Sequence, residues 1–310
     1  MSKSTKPSLC GVTYGQSKTG KTLAMLRAFP DATYLAPNDG CVLPATWLDW
    51  TPKVAIIPPA AGLLGLAQAI HKVGNRDRVV VVDDFSVMVR ARFRELKKMS
   101  NTVWHATDQL ALEVLDHVLP AAKNASAHVF MTAHEQAPRE IKKENQATVR
   151  YIKGCPMLAG WQLPDEFPGL VDFIARVVDT RETSGWPYAY QTGPDPEYVT
   201  GDRLSIAPPQ FPMNLRELML AAGYDLPRPK VLDWMDPVIE KLSDVLVAAE
   251  ENDDDKEEVL NKVLPKLLDK TKNERHIRWV IADSFDRAVL KQHQKTLLSK
   301  FITDLGAKSL

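Results

Sequence analysis

Apolar and polar positions change period along the chain, and three regimes separate cleanly. Over the first 135 residues, short β-branched runs alternate with longer stretches of helical spacing, the pattern of a parallel sheet covered by crossover helices. Strands are expected from Ser8 to Tyr14, Ala32 to Ala36, Val54 to Ile57, Arg78 to Val82 and His128 to Thr132. Between them, helices are expected from Lys21 to Phe29, Leu63 to Val73, Val87 to Met99 and Asp108 to Asn124. The fourth strand holds four consecutive valines, and a run apolar on both faces belongs inside a parallel sheet.

From about residue 136 to Asp202, glycine, proline and aromatic residues become frequent, and Phe173 to Val178 and Tyr188 to Gln191 read as further strands joined by loops. A short helix from Leu215 to Ala222 is stopped by Gly223. Pro227-Arg228-Pro229 reads as a stiff linker, because proline fixes φ and disfavours helix in the preceding residue. Beyond it the period is helical, with apolar residues at i, i+3 and i+4 in Val238 to Ala248, Val259 to Leu268 and Arg287 to Leu298. The acidic run Glu250 to Glu258 between the first two reads as a solvated connection. The expected organisation is an α/β domain over residues 1–229 and an all-helical domain over 230–310.

Composition narrows the function classes. The 310 residues are 45% hydrophobic and 25% charged, the balance of a packed globular chain. Lys+Arg and Asp+Glu tie at 39 each, so affinity for a polyanion has to come from a local patch or from oligomerisation. Cys10, Cys41 and Cys155 form no disulfide framework and no zinc-binding CxxC pair. Neither an apolar signal core in Met1 to Pro7 nor a membrane-length apolar run is present, so the expected location is cytoplasmic, without membrane contact.

The candidate chemistry begins at Gly15-Gln16-Ser17-Lys18-Thr19-Gly20-Lys21-Thr22, a full match to GxxxxGK[ST]. A polyphosphate needs several backbone N–H groups converging on it, and a glycine-bearing turn into a helix N-terminus supplies them. In that pattern Lys21 reaches the β- and γ-phosphates of ATP and the Thr22 hydroxyl is a Mg²⁺ ligand. Lys18 adds a positive charge and is read as a solvent-facing loop residue.

Hydrolysis needs a metal partner and an activated water. Arg78 to Asp84 is a hydrophobic strand ending in carboxylates, which makes Asp83 the expected Mg²⁺ partner through water. Asp84 either polarises the attacking water or caps the helix that follows, and Asp39 and Glu135 are rival bases. Thr132-Ala133-His134-Glu135 ends the fifth strand, where polar side chains project into the ligand crevice, so His134 is a candidate γ-phosphate sensor or a structural hydrogen-bonder.

The loop Gly15 to Thr22, the strand Val79 to Asp84 and the strand end Thr132 to Glu135 together resemble the RecA-like P-loop ATPases encoded by bacteriophages, AAA-type nucleotide-binding proteins that include a single-strand annealing recombinase branch. Weaker likenesses follow at Lys153-Gly154-Cys155-Pro156, Phe173 to Val178, Gly201-Asp202-Arg203-Leu204, Pro212-Met213-Asn214-Leu215 and Ala222-Gly223-Tyr224, so the similarity spans residues 7 to 226. It implies an α/β, RecA-like P-loop NTPase fold with a mostly parallel central sheet flanked by helices, to which the C-terminal all-helical appendage is added. The resemblance also implies a homo-oligomeric ring or filament on single-stranded DNA in a host cytoplasm, with a single-strand-binding protein as a further partner. Thr200-Gly201 stands where the family tends to carry a basic residue before the Asp-Arg pair. Arg203 is therefore the single candidate for a finger reaching a neighbour's γ-phosphate, against the reading of a plain surface arginine.

Basic residues mark where DNA is expected. Arg139, Lys142, Lys143, Arg150 and Lys153, with Tyr151 among them, follow the sensor strand and would line a ring or filament; a solvated loop is the alternative. A second cluster, Arg90, Arg92, Arg94, Lys97 and Lys98, reads as the wet face of an amphipathic helix. Two competing classes are a small-molecule kinase and a non-motor interaction or helicase-loader-like protein in which ATP is structural.

Overall fold

The valine run at residues 79–82 is buried at all four positions, so side chains on both faces of that strand meet apolar layers. A computed structural model of the chain describes residues 6–42, 51–142, 149–160, 162–180, 188–226 and 228–229. The expected C-terminal helices and Lys143 lie outside them. In chain order the strands are β1 (Cys10–Gly15), β2 (Thr33–Ala36), β3 (Lys53–Ile56), β4 (Val79–Val82), β5 (His128–Gln136), β6 (Arg139–Lys142), β7 (Val149–Ile152), β8 (Cys155–Pro156), β9 (Phe173–Asp179), β10 (Tyr188–Gln191), β11 (Gly201–Asp202) and β12 (Gln210–Pro212). The helices are α1 (Lys21–Ala28), α2 (Gly62–Gly74), α3 (Phe85–Met99), α4 (Val103–Leu112), α5 (Leu119–Lys123), α6 (Gln162–Leu170) and α7 (Leu215–Ala221).

The main sheet runs in the order β12-β10-β9-β1-β5-β4-β2-β3, and the six strands from β9 to β3 are mutually parallel. Strands β10 and β12 close one edge antiparallel. The strand β5 stands between β1 and β4, with Gly15 opposite His134 and Val82 opposite Met131. That order sets the glycine loop, the end of β5 and the acidic tip of β4 side by side at the carboxyl ends of the strands, where α/β sheets bind ligands.

Strand alternation divides the core into two layers. Val79, Val81 and Phe130 face α1 and α7, where Met25, Leu26, Leu218 and Met219 are buried. Val80, Val82, Val129 and Met131 face α2, α3 and α4, against Leu66, Ile70, Phe85, Val89 and Leu110. Phe29 stacks on Phe130 with ring centroids 5.1 Å apart, tying the end of α1 to the sheet. Tyr224 and Leu226 are buried in the same layer, and the Arg78 guanidinium donates to the Asp225 carbonyl at 3.0 Å, so the α/β core reaches at least Leu226.

Three boundaries differ from the sequence expectation, two through local caps and one through a distant strand pairing. Helix α3 starts at Phe85 rather than Val87 because Asp84 caps it, accepting from the Ser86 and Val87 N–H groups. The helix expected from Asp108 starts at Val103, where Thr102 accepts from the His105 N–H. It widens into a π-turn over Glu113–Val118, just before Pro120, whose ring nitrogen has no N–H for a regular helical bond. Strand β5 runs to Gln136 because Glu135 and Gln136 pair antiparallel with β8, which carries His134 and Glu135 inside a strand rather than past its end. Among the described residues no helix is long and apolar enough to cross a membrane.

His128 reports on this core. Its Nδ1 accepts from the Leu9 N–H at 3.1 Å, and burial, helped by the nearby Arg78 charge, lowers its pKa to about 4. The unfolded chain binds a proton near pH 6.5 that the folded chain refuses until about pH 4, so folding stability from this group is complete above pH 6.5 and is lost as pH falls. Urea denaturation is expected to show His128→Gln losing on the order of 2 kcal/mol less than wild type between pH 7 and pH 4; equal losses would rule the effect out.

Candidate nucleotide-binding site

The loop between β1 and α1 is shaped by two left-handed residues, Lys18 at φ 65° and Gly20 at φ 78°. Only the second is a glycine, so the turn does not depend on glycine alone. A Cβ on Gly20 would meet no atom within 4 Å, which makes its requirement conformational. Gly15 is different: a Cβ there would sit 2.8 Å from the Val177 Cβ, so close strand packing excludes it. The Thr19 hydroxyl donates to the Gln16 carbonyl at 2.9 Å and pins the turn, and the Ala24 N–H bonds the Gly20 carbonyl at 2.8 Å as the helix begins.

Lys21 is buried at the floor of this loop. Its ammonium donates to the Gly15 carbonyl at 3.1 Å and to the Gln16 carbonyl at 2.7 Å. Burial lowers its pKa, an effect opposed by the carboxylates of Asp84, Asp83 and Glu135. A desolvated ammonium held only by carbonyl dipoles is primed for an anion, because a phosphate oxygen would give it the full counter-charge that it lacks.

Asp83 is the second fixed point. It is 8% exposed and accepts from the Thr22 hydroxyl at 3.0 Å and 3.1 Å and from the Thr132 hydroxyl. Burial raises its pKa, and the hydrogen bonds from Thr132 and Thr22 oppose the rise. The fit to Mg²⁺ follows from the donor chemistry: a hydroxyl and a carboxylate side by side are hard oxygen ligands. Among the described residues no cluster of three His, Cys, Asp or Glu side chains could hold a metal, so phosphate oxygens and water would complete its shell. Thr22 and Asp83 would hold the ion, and it would neutralise charge on the β- and γ-phosphates.

Above Asp83, His134 Nε2 lies 3.1 Å from Asp84 Oδ2. The other oxygen of Asp84 is taken by the helix cap, accepting from the Ser86 N–H at 2.8 Å. The two readings of Asp84 therefore divide between its two oxygens. The backbone N–H of His134 donates to the Ser86 hydroxyl at 3.0 Å, which locks β5 to the first turn of α3.

A cavity of about 580 Å³ gathers these groups: it is lined by Ser17 to Leu23, by Pro37, Asn38, Gly40 and Cys41 after β2, and by Asp83, Asp84, Thr132 and His134. Lys18 is exposed at its rim. Gly15 and Gln16 do not line it and act through their carbonyls on Lys21.

Two expected bases fall elsewhere. Glu135 points to the opposite face of β5 from His134, as strand alternation requires, and lies outside the lining of this cavity. The Arg176 guanidinium, packed 3.2 Å over the Tyr198 ring, holds it at 2.8 Å. Asp39 is exposed and does not line the cavity.

Thr132 and Ser86 were not singled out as site residues by sequence. Thr132 was available from parity, since it shares a strand face with His134.

The remaining basic residues are spread. Arg139 and Lys142 lie on β6 and Arg150 on β7, a separate two-stranded hairpin in which Arg139 pairs with Ile152 and Ile141 with Arg150. The Lys153 ammonium donates to the Asp195 carbonyl at 2.7 Å and lines a different hollow. Arg203 lies past the end of β11, whose Asp202 pairs with Phe173, itself opposite Gly11. That is the edge of the sheet opposite the glycine loop, and its guanidinium donates to the Gly169 carbonyl.

A glycine loop clasping a buried lysine, with a hydroxyl–carboxylate pair beside it at the carboxyl edge of a parallel sheet, defines a P-loop nucleotide-binding protein. A model of the AAA domain matches residues 8–204, more than half of the 310 residues, and the chain belongs to that family. Membership carries nucleotide binding and, as a general activity of the class, ATP hydrolysis. No curated protein matches the chain.

Two substitutions test the site. Lys21→Ala is expected to reduce ATP turnover by about 100-fold or more, the size of loss seen when a preorganised charge donor is removed. Asp83→Asn keeps the side-chain shape and should abolish Mg²⁺-supported turnover while a fluorescent ATP analogue still binds. A Lys21→Ala protein with wild-type turnover would sink the loop assignment.

Proposed function

We propose that this AAA-domain protein is a Mg²⁺-dependent ATPase that acts on single-stranded DNA as a homo-oligomeric ring or filament, in the recombination and annealing class of bacteriophage RecA-like proteins. In this reading Lys21 and the loop amides bind the triphosphate, and Thr22 and Asp83 hold the metal. The Asp84–His134 pair orients the attacking water, Asp84 accepting its proton and His134 sensing the γ-phosphate. Glu135, tied to Arg176, supports the strand rather than the water.

The observation that carries the reading is continuity of one strand. Strand β5 brings His134 to Asp84 and, after a turn of two residues, passes into the basic hairpin β6–β7. A change at the γ-phosphate and a change at the hairpin are thus mechanically adjacent. Repetition of the hairpin in an oligomer would concentrate a positive charge that the monomer, with 39 basic and 39 acidic residues, lacks overall. Arg203, remote from its own loop, would in this arrangement exchange the Gly169 carbonyl for a neighbour's nucleotide.

Steady-state ATP turnover with and without an oligonucleotide is the test. Stimulation of several-fold by single-stranded DNA, lost on charge reversal of Lys142 and Lys143 with basal turnover intact, is the expected result. Turnover driven instead by a small phosphate acceptor would point to a kinase, and bound ATP without turnover to an interaction or loader-type protein.

A further inference from the structure

Helix α3 places Arg90, Phe93, Arg94 and Lys97 at i, i+3, i+4 and i+7, a single stripe along its surface. Arg92 is on another face and is consumed: its guanidinium bonds Glu113 at 2.6 Å and Glu95 at 3.2 Å. In the stripe the Lys97 ammonium lies 5.8 Å from the Phe93 ring centroid, and the two arginines are not consumed by carboxylates. Among the described residues Arg94 and Arg139 make no ion pair or hydrogen bond, and the one polar contact of Arg90 is with the Met157 sulfur at 3.6 Å.

Arg90 and Arg94 from α3 and Arg139 from β6 converge on one cleft of about 270 Å³, together with Phe93, Gln136, Met157, Leu158, Ala159 and Gly160. Three guanidinium groups facing one hollow without a carboxylate among its lining residues repel one another and gain when an anion enters. A second observation is independent of charge. The side-chain nitrogen of Gln136, also in the lining, is buried without a hydrogen-bond partner. Such a group costs on the order of 1–3 kcal/mol while unpaired, and rotation of the amide toward the cleft would let an entering acceptor atom remove that cost.

We infer that this cleft binds the phosphodiester backbone of single-stranded nucleic acid, with phosphate oxygens on Arg90, Arg94, Arg139 and the Gln136 amide and a base against the Phe93 ring. The chemistry recognised is a phosphate oxyanion next to a flat apolar group. A partly buried aromatic ring, packed on the core and flanked by two arginines at helical spacing, offers its outer edge to a base beside phosphates, which an acidic peptide does not supply. The inference rests on the proposed action on single-stranded DNA and moves its centre from the hairpin tip to the wall between hairpin and helix. Both walls grow from the nucleotide cavity, α3 from its cap at Asp84 and β5 from His134 two residues before Gln136.

Fluorescence anisotropy with a labelled oligothymidylate, with Mg²⁺ and a slowly hydrolysed ATP analogue, tests it. Arg90→Glu combined with Arg94→Glu is expected to weaken binding at least tenfold and to lower the slope of log affinity against log salt by about 1.4, two phosphate contacts at about 0.7 each. An unchanged thermal midpoint serves as the control for folding. Gln136→Glu, nearly isosteric, should weaken binding several-fold, and a 5-iodouracil oligonucleotide should photo-crosslink wild-type protein at Phe93. If wild type binds the oligonucleotide and these variants bind equally, with no crosslink at Phe93, the cleft is excluded and the single-strand reading survives. If wild type binds no oligonucleotide, that reading falls and this inference with it. Displacement by inorganic phosphate below 1 mM, on the order of a free-anion site, or by polyglutamate as readily as by unlabelled oligonucleotide, would overturn the assignment to a nucleic-acid backbone.

Discussion

A carboxylate cannot be buried at the tip of an apolar strand unless something donates to it, and the donors of Asp83 come from two different strand–helix units. The Thr22 hydroxyl arrives with the glycine loop and α1, and the Thr132 hydroxyl with β5. Removing one partner would leave a buried charge short of a hydrogen bond, which costs several times what the bond contributes when made. The order β1-β5-β4 follows from this as much as from the valine run, because only an interposed β5 can present Thr132 to Asp83 while keeping Gly15 level with His134. The Thr22–Asp83 pair, the glycine loop and the end of β5 are in this sense one constraint seen from three elements.

Lys21 extends the same argument to the ligand. Its ammonium is desolvated and answered by two carbonyl dipoles, while Asp83, Asp84 and Glu135 act on it from farther away. A triphosphate replaces dipoles by full charges at the ammonium, and a hard cation does the converse at Asp83. Each ligand relieves the group that the fold leaves least satisfied, so the protein contributes positioning and the nucleotide and ion contribute the missing charge.

How much of this was legible depends on whether chemistry fixed the spacing. The loop could be read because polyphosphate geometry fixes four residues within eight consecutive positions, and the central strand because burial on both faces leaves no polar residue in Val79 to Val82. Glu135 stood as one candidate base among three because a place at a strand end does not show which face a side chain takes; pairing of Glu135 and Gln136 with β8 is a long-range contact with no local signal. Once β5 is known to continue, alternation puts Glu135 on the face away from the cavity. The basic cluster on α3 was set aside for a similar reason. Sequence spacing shows a wet helical face, and only the tertiary pairing of Arg92 with Glu113 separates the consumed arginine from Arg90 and Arg94.

The path from nucleotide to the α3 cleft is short and made of hydrogen bonds rather than of loosely packed surface. Ser86 is 0% exposed; its hydroxyl accepts the His134 N–H and donates to Asp84, so the first turn of α3 and the sensor strand share one buried serine. A displacement of His134 toward a γ-phosphate would pull against that serine, and through it against the helix that carries Arg90 and Arg94. The strand meanwhile carries Gln136 and, beyond the turn, Arg139. Relative motion of α3 and β5 would therefore change the spacing of the arginines across the cleft, whereas motion of both together would leave it unchanged. In the proposed reading, coupling between ATP and a bound strand would require that the γ-phosphate act on His134 and Asp84 unequally, and the geometry offers an asymmetry: Asp84 is fixed by its cap to the backbone of Ser86 and Val87, while among the described residues the polar partner of the His134 ring is Asp84 Oδ2.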